Sequence, residues 1–177
     1  MSVIQQKNKS SSTIVYTIGH SNIEIEEFLG LIHEINTLVD LRSVPYSKFV
    51  PQFNINELSK ILKSRGIKYV FKRNETIGNI IGGRPKDPTC YDDETICYEL
   101  VMKKDWYKRG VCELIELAEK TSVVVMCSEE DPYKCHRHNL IAQSLLEKGV
   151  EVIHIRKNGI REIAKKIKKK PIQQTLF

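Results

Sequence analysis

Apolar positions along the chain recur with two periods, and segments of the two kinds alternate. After a polar leader over 1–12, Thr13-Ile-Val-Tyr-Thr-Ile18 is a short β-branched and aromatic run ending at Gly19, the pattern of a buried strand. Asn22 can then cap a helix through about His33, with Ile25, Phe28, Leu29 and Ile32 at helical spacing. Thr37-Leu-Val-Asp-Leu41 reads as a second strand. A helix starting at Asn54 or Asn56 and stopping near Gly66 carries Leu58, Ile61 and Leu62, and Ile67 to Phe71 follows as a third strand.

From Lys72 to Pro88 the periodicity disappears. Gly78, Gly82, Gly83, Pro85 and Pro88 mark a long loop, and loops of that length in compact domains often carry function. Helical spacing returns around Glu94 to Lys103 and again from Trp106 to Lys120. Ser122-Val-Val-Val-Met126 is the most apolar run and belongs at the centre of a sheet. Asp131 followed by Pro132 has the form of an N-cap with proline at N1, which predicts a helix to Lys148 stopped by Gly149. Val150 to Ile155 gives a last strand. Beyond it, Ile160, Ile163, Ala164 and Ile167 share a stripe that predicts a short basic helix over 159–170. Strands that alternate with helices and are apolar throughout need cover on both faces. The expected fold is α/β, a Rossmann-like three-layer arrangement with a mostly parallel central sheet. It is expected as a single domain over 13–158, followed by the basic helix and a flexible tail over 171–177.

Composition excludes several classes. With 177 residues, 41% hydrophobic and 28% charged, the chain can bury one core and lacks the signature of disorder. The net charge is +6, but basic residues crowd between Arg156 and Lys170 and leave the remainder close to neutral. Any attraction to polyanions should therefore come mainly from the C-terminal end. The leader is polar and no apolar run approaches the roughly 18 residues of a membrane span, so a cytoplasmic protein without a membrane partner is expected. Five cysteines are an odd number in a chain too large to need stapling, which argues for thiols over a disulfide framework.

In parallel α/β sheets ligands bind outside the carboxyl ends of the strands. Polar clusters follow the predicted strands here: Gly19-His20-Ser21, Arg42-Ser43, the glycine loop, and Cys127-Ser-Glu129. The densest constellation runs from Cys127 through Cys135 to His138. A thiol at the mouth of the central strand faces a second in the first turn of the next helix, where the dipole, Lys134 and Arg137 favour thiolate. Either can be a nucleophile, with Glu129 or His136 as its acid–base partner: one cysteine alone reads rather as strand-end packing or core filler, and it is the whole cluster that points to a functional site. Cys127, Cys135, His136, His138 and His20 are soft enough for zinc. However, seven residues separate the thiols, where roughly two to four are usual, and no second close pair exists, so no metal is expected. Nine residues between Cys127 and Arg137 are too many for a phosphatase-type cradle. Asp40 and Arg42 alternate on one strand face and must pair or reach solvent. In the functional reading Arg42 and Arg137 are anion clamps, with Ser43 and Ser47 beside Arg42. His20 belongs to the same edge, and Gly82-Gly83 reads as a phosphate nest or a turn.

The set Tyr16-Thr-Ile-Gly-His-Ser21, Leu38-Val-Asp-Leu-Arg-Ser43, Pro45-Tyr-Ser47, Gly82-Gly-Arg-Pro85 and Met126-Cys-Ser-Glu129 followed by Cys135-His-Arg137 resembles the domain of unknown function 488 family. The resemblance extends from about Thr13 to Ile155. It implies a Rossmann-like domain whose motifs converge at one sheet edge, and no established reaction.

The tail carries a separate signal. Gln173-Gln-Thr-Leu176-Phe177 is similar to the Gln-x-x-Leu-Phe peptide with which replication and DNA-repair proteins dock on sliding clamps, with Gln173, Leu176 and Phe177 as the contacts. The sequence thus points to a cysteine-centred enzyme of nucleic-acid or nucleotide metabolism, recruited to DNA by a clamp. Its rivals are a non-catalytic DNA-linked module with a structural metal, and a small-molecule or nucleotide-binding regulator.

Overall fold

The computed structural model describes residues 12–76 and 78–168. In chain order the first half comprises β1 (Ile14–Gly19), α1 (Ile25–Leu31), β2 (Thr37–Asp40), α2 (Ile55–Ser64), β3 (Lys68–Val70) and two small hairpins, β4 (Arg73–Asn74) with β5 (Gly78–Asn79) and β6 (Tyr91–Asp92) with β7 (Thr95–Ile96). The second half comprises α3 (Tyr98–Lys103), α4 (Asp105–Ala118), β8 (Val123–Cys127), α5 (Gln143–Glu147), β9 (Glu151–Ile155) and β10 (Arg161–Ile163).

The main sheet has the order β10-β9-β1-β8-β2-β3, and every pairing in it is parallel except that of β10 with β9. β8 is buried along its whole length, as its sequence demands, and it lies between β1 and β2. Its side chains alternate between two cores. Val123 and Val125 pack with Val101, Tyr107, Val111, Leu114 and Leu145 from α3, α4 and α5. Val124 and Met126 pack on the other face with Phe28 and Leu29 of α1 and Leu58 and Leu62 of α2. Each such fully buried Leu, Ile or Phe contributes about 1.5–3 kcal/mol, so both layers are needed to hold the strands. The α/β three-layer expectation is met. Among the described residues no helix is long and apolar enough to cross a membrane.

Four local expectations are corrected. Asn22 does not cap α1: Ser21 turns left-handed (φ 48°), Asn22 Oδ1 accepts from the Ser21 hydroxyl, and the helix starts at Ile25. The helical spacing before Tyr98 is taken up by the β6–β7 hairpin, which turns at Asp93 (φ 51°). Asp131 does accept from the Tyr133 amide as a cap, but the turn it starts covers only Pro132–Lys134. The chain is extended at Cys135, and then a wide, π-type turn over Arg137–Ala142 leads into α5. Finally, the basic helix expected over 159–170 is not formed in its described part, 159–168. Arg161–Ile163 pairs antiparallel with Ile153–Ile155, the Ala164 amide extends the ladder to the Val152 carbonyl, and no helix follows through 168. Here the open edge of β9 supplies hydrogen bonds that a short local stripe cannot match. The leader and the tail residues Gln173, Leu176 and Phe177 lie outside the described residues.

Candidate active site

β1, β8 and β2 are neighbours, so their carboxyl ends bring His20, Cys127 and Arg42 to one edge. The connecting segments are stitched together beyond the strands: the His20 amide donates to Cys127 O (3.0 Å), Ser21 to Ser128 O (2.8 Å) and Leu41 to Met126 O (2.8 Å). A cleft of about 360 Å³ opens there, with Arg42, Ser43, Gly83, Arg84, Tyr98, Cys127, Glu129, Lys134, Cys135 and His136 in its walls.

The two thiols are its centre. Cys127 Sγ and Cys135 Sγ lie 2.9 Å apart, and both are free cysteines. Cys135 Sγ is also 3.3 Å from Glu129 Oε2, 3.6 Å from His136 Nδ1 and 3.4 Å from the Arg137 amide, which donates to it. The hydrogen bond from Cys127, with the His136 ring and the Arg137 amide, pulls the Cys135 thiol well below its ordinary range despite burial. The same thiol–thiolate bond, reinforced by burial, pushes Cys127 well above its own. Burial works against the Glu129 carboxylate, but hydrogen bonds from its own amide and the two thiols keep it below the usual carboxylate value. The two thiols are thus shifted in opposite directions, and Cys135 is the sulfur that gives up its proton first.

Cys127 Sγ, Cys135 Sγ and a Glu129 carboxylate oxygen lie within 4.8 Å of one another, the only such metal-capable group found among the described residues.

On the other face of the sheet edge, Arg42 is spent largely on the protein. Its Nε and Nη2 donate to Asp40, Nη2 also to Phe53 O (2.8 Å), and Nη1 lies 3.3 Å from His20 Nε2. Burial disfavours the guanidinium, but Asp40 more than compensates and raises its pKa. Of its five N–H groups, one on Nη1 is left uncommitted. Tyr69 donates to Asp40 Oδ2 (2.6 Å), and burial with that carboxylate pushes its hydroxyl up. His20 stacks on Phe53 at 4.4 Å and bonds the Ser21 carbonyl through Nδ1 (2.8 Å), so Nε2 is left to accept from Arg42. Burial, with the Arg42 charge, lowers its pKa to about 4, and the ring is neutral.

Arg137 faces inward. It is fully buried, and its Nη2 donates to Glu129 O (3.0 Å) and Glu130 O (2.8 Å), which fixes the loop between the thiols. The same loop is gripped from outside by Arg156, which bridges Glu130 and Glu162. Arg137 Nη1 reaches Thr17 Oγ1, the head of a buried chain through His154 and His138 to Gln143. Gln143 Oε1 accepts from the Ile167 amide and its Nε2 donates to Lys165 O, so Nε2 also serves His138. His138 then donates to His154, and His154 to Thr17, with both rings neutral. Burial and nearby Arg137 lower both, His154 to about 3.

Of the residues singled out from the sequence, Arg42, Ser43, Gly83, Cys127, Glu129, Cys135 and His136 line the cleft, and His20 adjoins it through Arg42. Gly82 and Ser47 stand outside its lining. Ser47 instead shapes its own loop, donating its amide to Asn54 Oδ1 and accepting from Phe49 on Oγ. The glycine pair serves close packing: a Cβ on Gly83 would fall 2.4 Å from His136 Cγ, and one on Gly82 2.9 Å from Asn79 Cβ. Gly19 is needed for a similar reason, since a Cβ there would lie 1.7 Å from Glu129 O. Sequence reasoning missed Tyr69 and Asn79, whose Nδ2 ties Asp40 O to Arg42 O, and the Thr17–His154–His138 chain. The buried charge at Asp40 was the available signal that further partners were needed.

The fold and site define a class: a Rossmann-like α/β domain with a paired-thiol cleft at the carboxyl edge of its parallel sheet. Residues 24–144 match the family profile described as Domain of unknown function DUF488, and the chain belongs to that family. The matched span contains Arg42, both glycines and both thiols. Comparison with curated proteins and with solved structures gives no match.

Proposed function

We propose that the protein is a thiol-dependent enzyme in which Cys135 attacks an electrophilic centre of an anionic substrate of nucleic-acid or nucleotide metabolism. The observation that carries this is the environment of Cys135 Sγ: it is bonded by the Cys127 thiol and the Arg137 amide, faces His136, and lines a cleft. Such contacts favour thiolate, the reactive form. Glu129, 3.3 Å away, is placed to take the proton when Cys135 attacks from the thiol form, and His136 to return one to a leaving group. Arg84, exposed and without an ion-pair partner among the described residues, and Lys134 give the cleft cations for an anionic substrate. Recruitment to DNA through Gln173, Leu176 and Phe177 completes the reading.

Iodoacetamide labelling followed by peptide mass spectrometry tests the nucleophile. At about pH 6.5, Cys135 should label at least tenfold faster than exposed Cys112, and nucleotides or a single-stranded oligonucleotide should slow it. Labelling no faster than Cys112 would refute the assignment; no protection would remove the substrate class. Titration of the peptide 170–177 against a sliding clamp, beside a Leu176→Ala, Phe177→Ala control, tests recruitment. Equal binding, or none, ends that part.

A further inference from the structure

Cys127 has no part in the attack described above beyond its hydrogen bond, yet its position is unusually constrained. It ends the rigid central strand and its sulfur faces Cys135 at 2.9 Å. A disulfide bond is about 2.05 Å long, so the sulfurs need to close by only about 0.9 Å. The connection between the two cysteines suits such a step. Its seven residues are anchored by Arg137 through Glu129 O and Glu130 O, and by Ser21 through Ser128 O, so that loop stays in place. Cys135 itself is a break point, extended between the Pro132–Lys134 turn and the wide turn that follows. A side-chain rotation there does not have to disturb a continuous helix. Both sulfurs line the cleft with Glu129 and the cations Arg84 and Lys134, and they differ in their partners: Cys135 Sγ receives the Arg137 amide and faces the His136 ring, whereas Cys127 Sγ faces Cys135 and the Glu129 carbonyl.

We propose that the Cys127–Cys135 pair exchanges with anionic low-molecular-weight disulfides and is reversibly oxidised, with Cys135 as the attacking and Cys127 as the resolving thiol. This is a further activity of the site, and it rests on Cys135 being the nucleophile of the preceding section. In the first step the Cys135 thiolate attacks one sulfur of RS–SR; a Cys135–S–S–R bond forms and RS⁻ leaves. Cys127 then gives its proton to the Glu129 carboxylate, and its thiolate attacks Cys135 Sγ. The Cys127–Cys135 bond forms, and the second RS⁻ departs. One leaving RS⁻ takes up the Cys127 proton from Glu129, and the other takes a proton from solvent, to which Cys135 lost its own on forming the thiolate. Overall, two protein thiols and RSSR become one protein disulfide and two RSH, and two electrons pass to the small molecule. The oxidised form lacks the nucleophile, so oxidation also switches off the chemistry proposed for Cys135.

The test equilibrates the full chain in a glutathione series from fully reduced to fully oxidised. It is then quenched in acid, alkylated and read by peptide mass spectrometry. The wild type should lose both thiols of the pair together to an internal disulfide, with Cys112 still labelled. Cys127→Ser should stop at a glutathione adduct on Cys135, and Cys135→Ser should form neither adduct nor bridge. The wild-type bridge needs no variant, so the test survives a variant that fails to fold. Rapid iodoacetamide labelling of Cys135 with no bridge at any ratio overturns this inference and leaves the nucleophile reading standing. Slow labelling with no bridge overturns both. A stable glutathione adduct on wild-type Cys135, or stoichiometric zinc that protects both thiols until chelated, also overturns it.

Discussion

A buried ion pair decides what Arg42 can do. The residue sits where an anion clamp was expected, but Asp40, Phe53 O and His20 take most of its donors. Removing one member of such a pair leaves a charge without water or partner, at a cost of about 3–5 kcal/mol. Asp40→Ala should therefore destabilise by that order in urea unfolding, and Arg42→Met in the same chain should recover part of the loss. An additive double mutant would contradict the coupling. The sequence placed these residues correctly because polar positions after apolar strands are easy to see. It could not assign their partners. Tyr69, Asn79 and Phe53 reach Asp40 and Arg42 only through the fold, and the need of His136 for the space beside Gly83 leaves no trace in spacing.

Among the elements, the wide turn over Arg137–Ala142 does the most to organise the site. It starts two residues after Cys135, points Arg137 back under the loop, and delivers the Arg137 amide to Cys135 Sγ. Arg137→Met keeps the volume and loses the bonds to Glu129 O and Glu130 O. The expected result is a loss of about 3 kcal/mol, from the two carbonyls left unpaired, together with faster amide exchange over 128–131. Unchanged exchange there would show that Arg156 alone suffices. The break at Cys135 was illegible in a sequence whose Asp131-Pro132 start and Gly149 stop are sound signals of one helix. The edge strand β10 was hidden differently: Ile160, Ile163, Ala164 and Ile167 keep a helical period, and only pairing with β9 selects the strand.

For the whole molecule, neutral buried histidines set the acid limit of stability. His20 is held at about 4 and His154 at about 3, against 6.5 for a free ring. Between those values and 6.5 the unfolded chain binds protons that the folded protein refuses, so stability rises with pH. The contribution is complete above about pH 6.5 and is lost as the pH falls towards the folded values. For His20 it is on the order of 3 kcal/mol. Urea midpoints measured from about pH 7.5 down to 4.5 should fall, and His20→Phe, which keeps a ring against Phe53, should make the acid limb shallower. An unaltered limb would remove His20 from the account.

The strand order also has a consequence for how the chain is made. β1 pairs only with β8 and β9, and β2 separates from β1 because β8 lies between them. A nascent chain that has emerged only as far as Thr121 can pair β2 with β3, while β1 has no neighbour. Long-range parallel pairings of this kind are slow to close and leave apolar strands exposed meanwhile. A fragment ending at Thr121 should show no cooperative unfolding, and one extended through Ile155 should regain it. A folded short fragment would refute this order. His20 is thus synthesised early, but its backbone meets Cys127, and its ring meets an ordered Arg42, only when the last-made central strand slots between two that have been waiting for it.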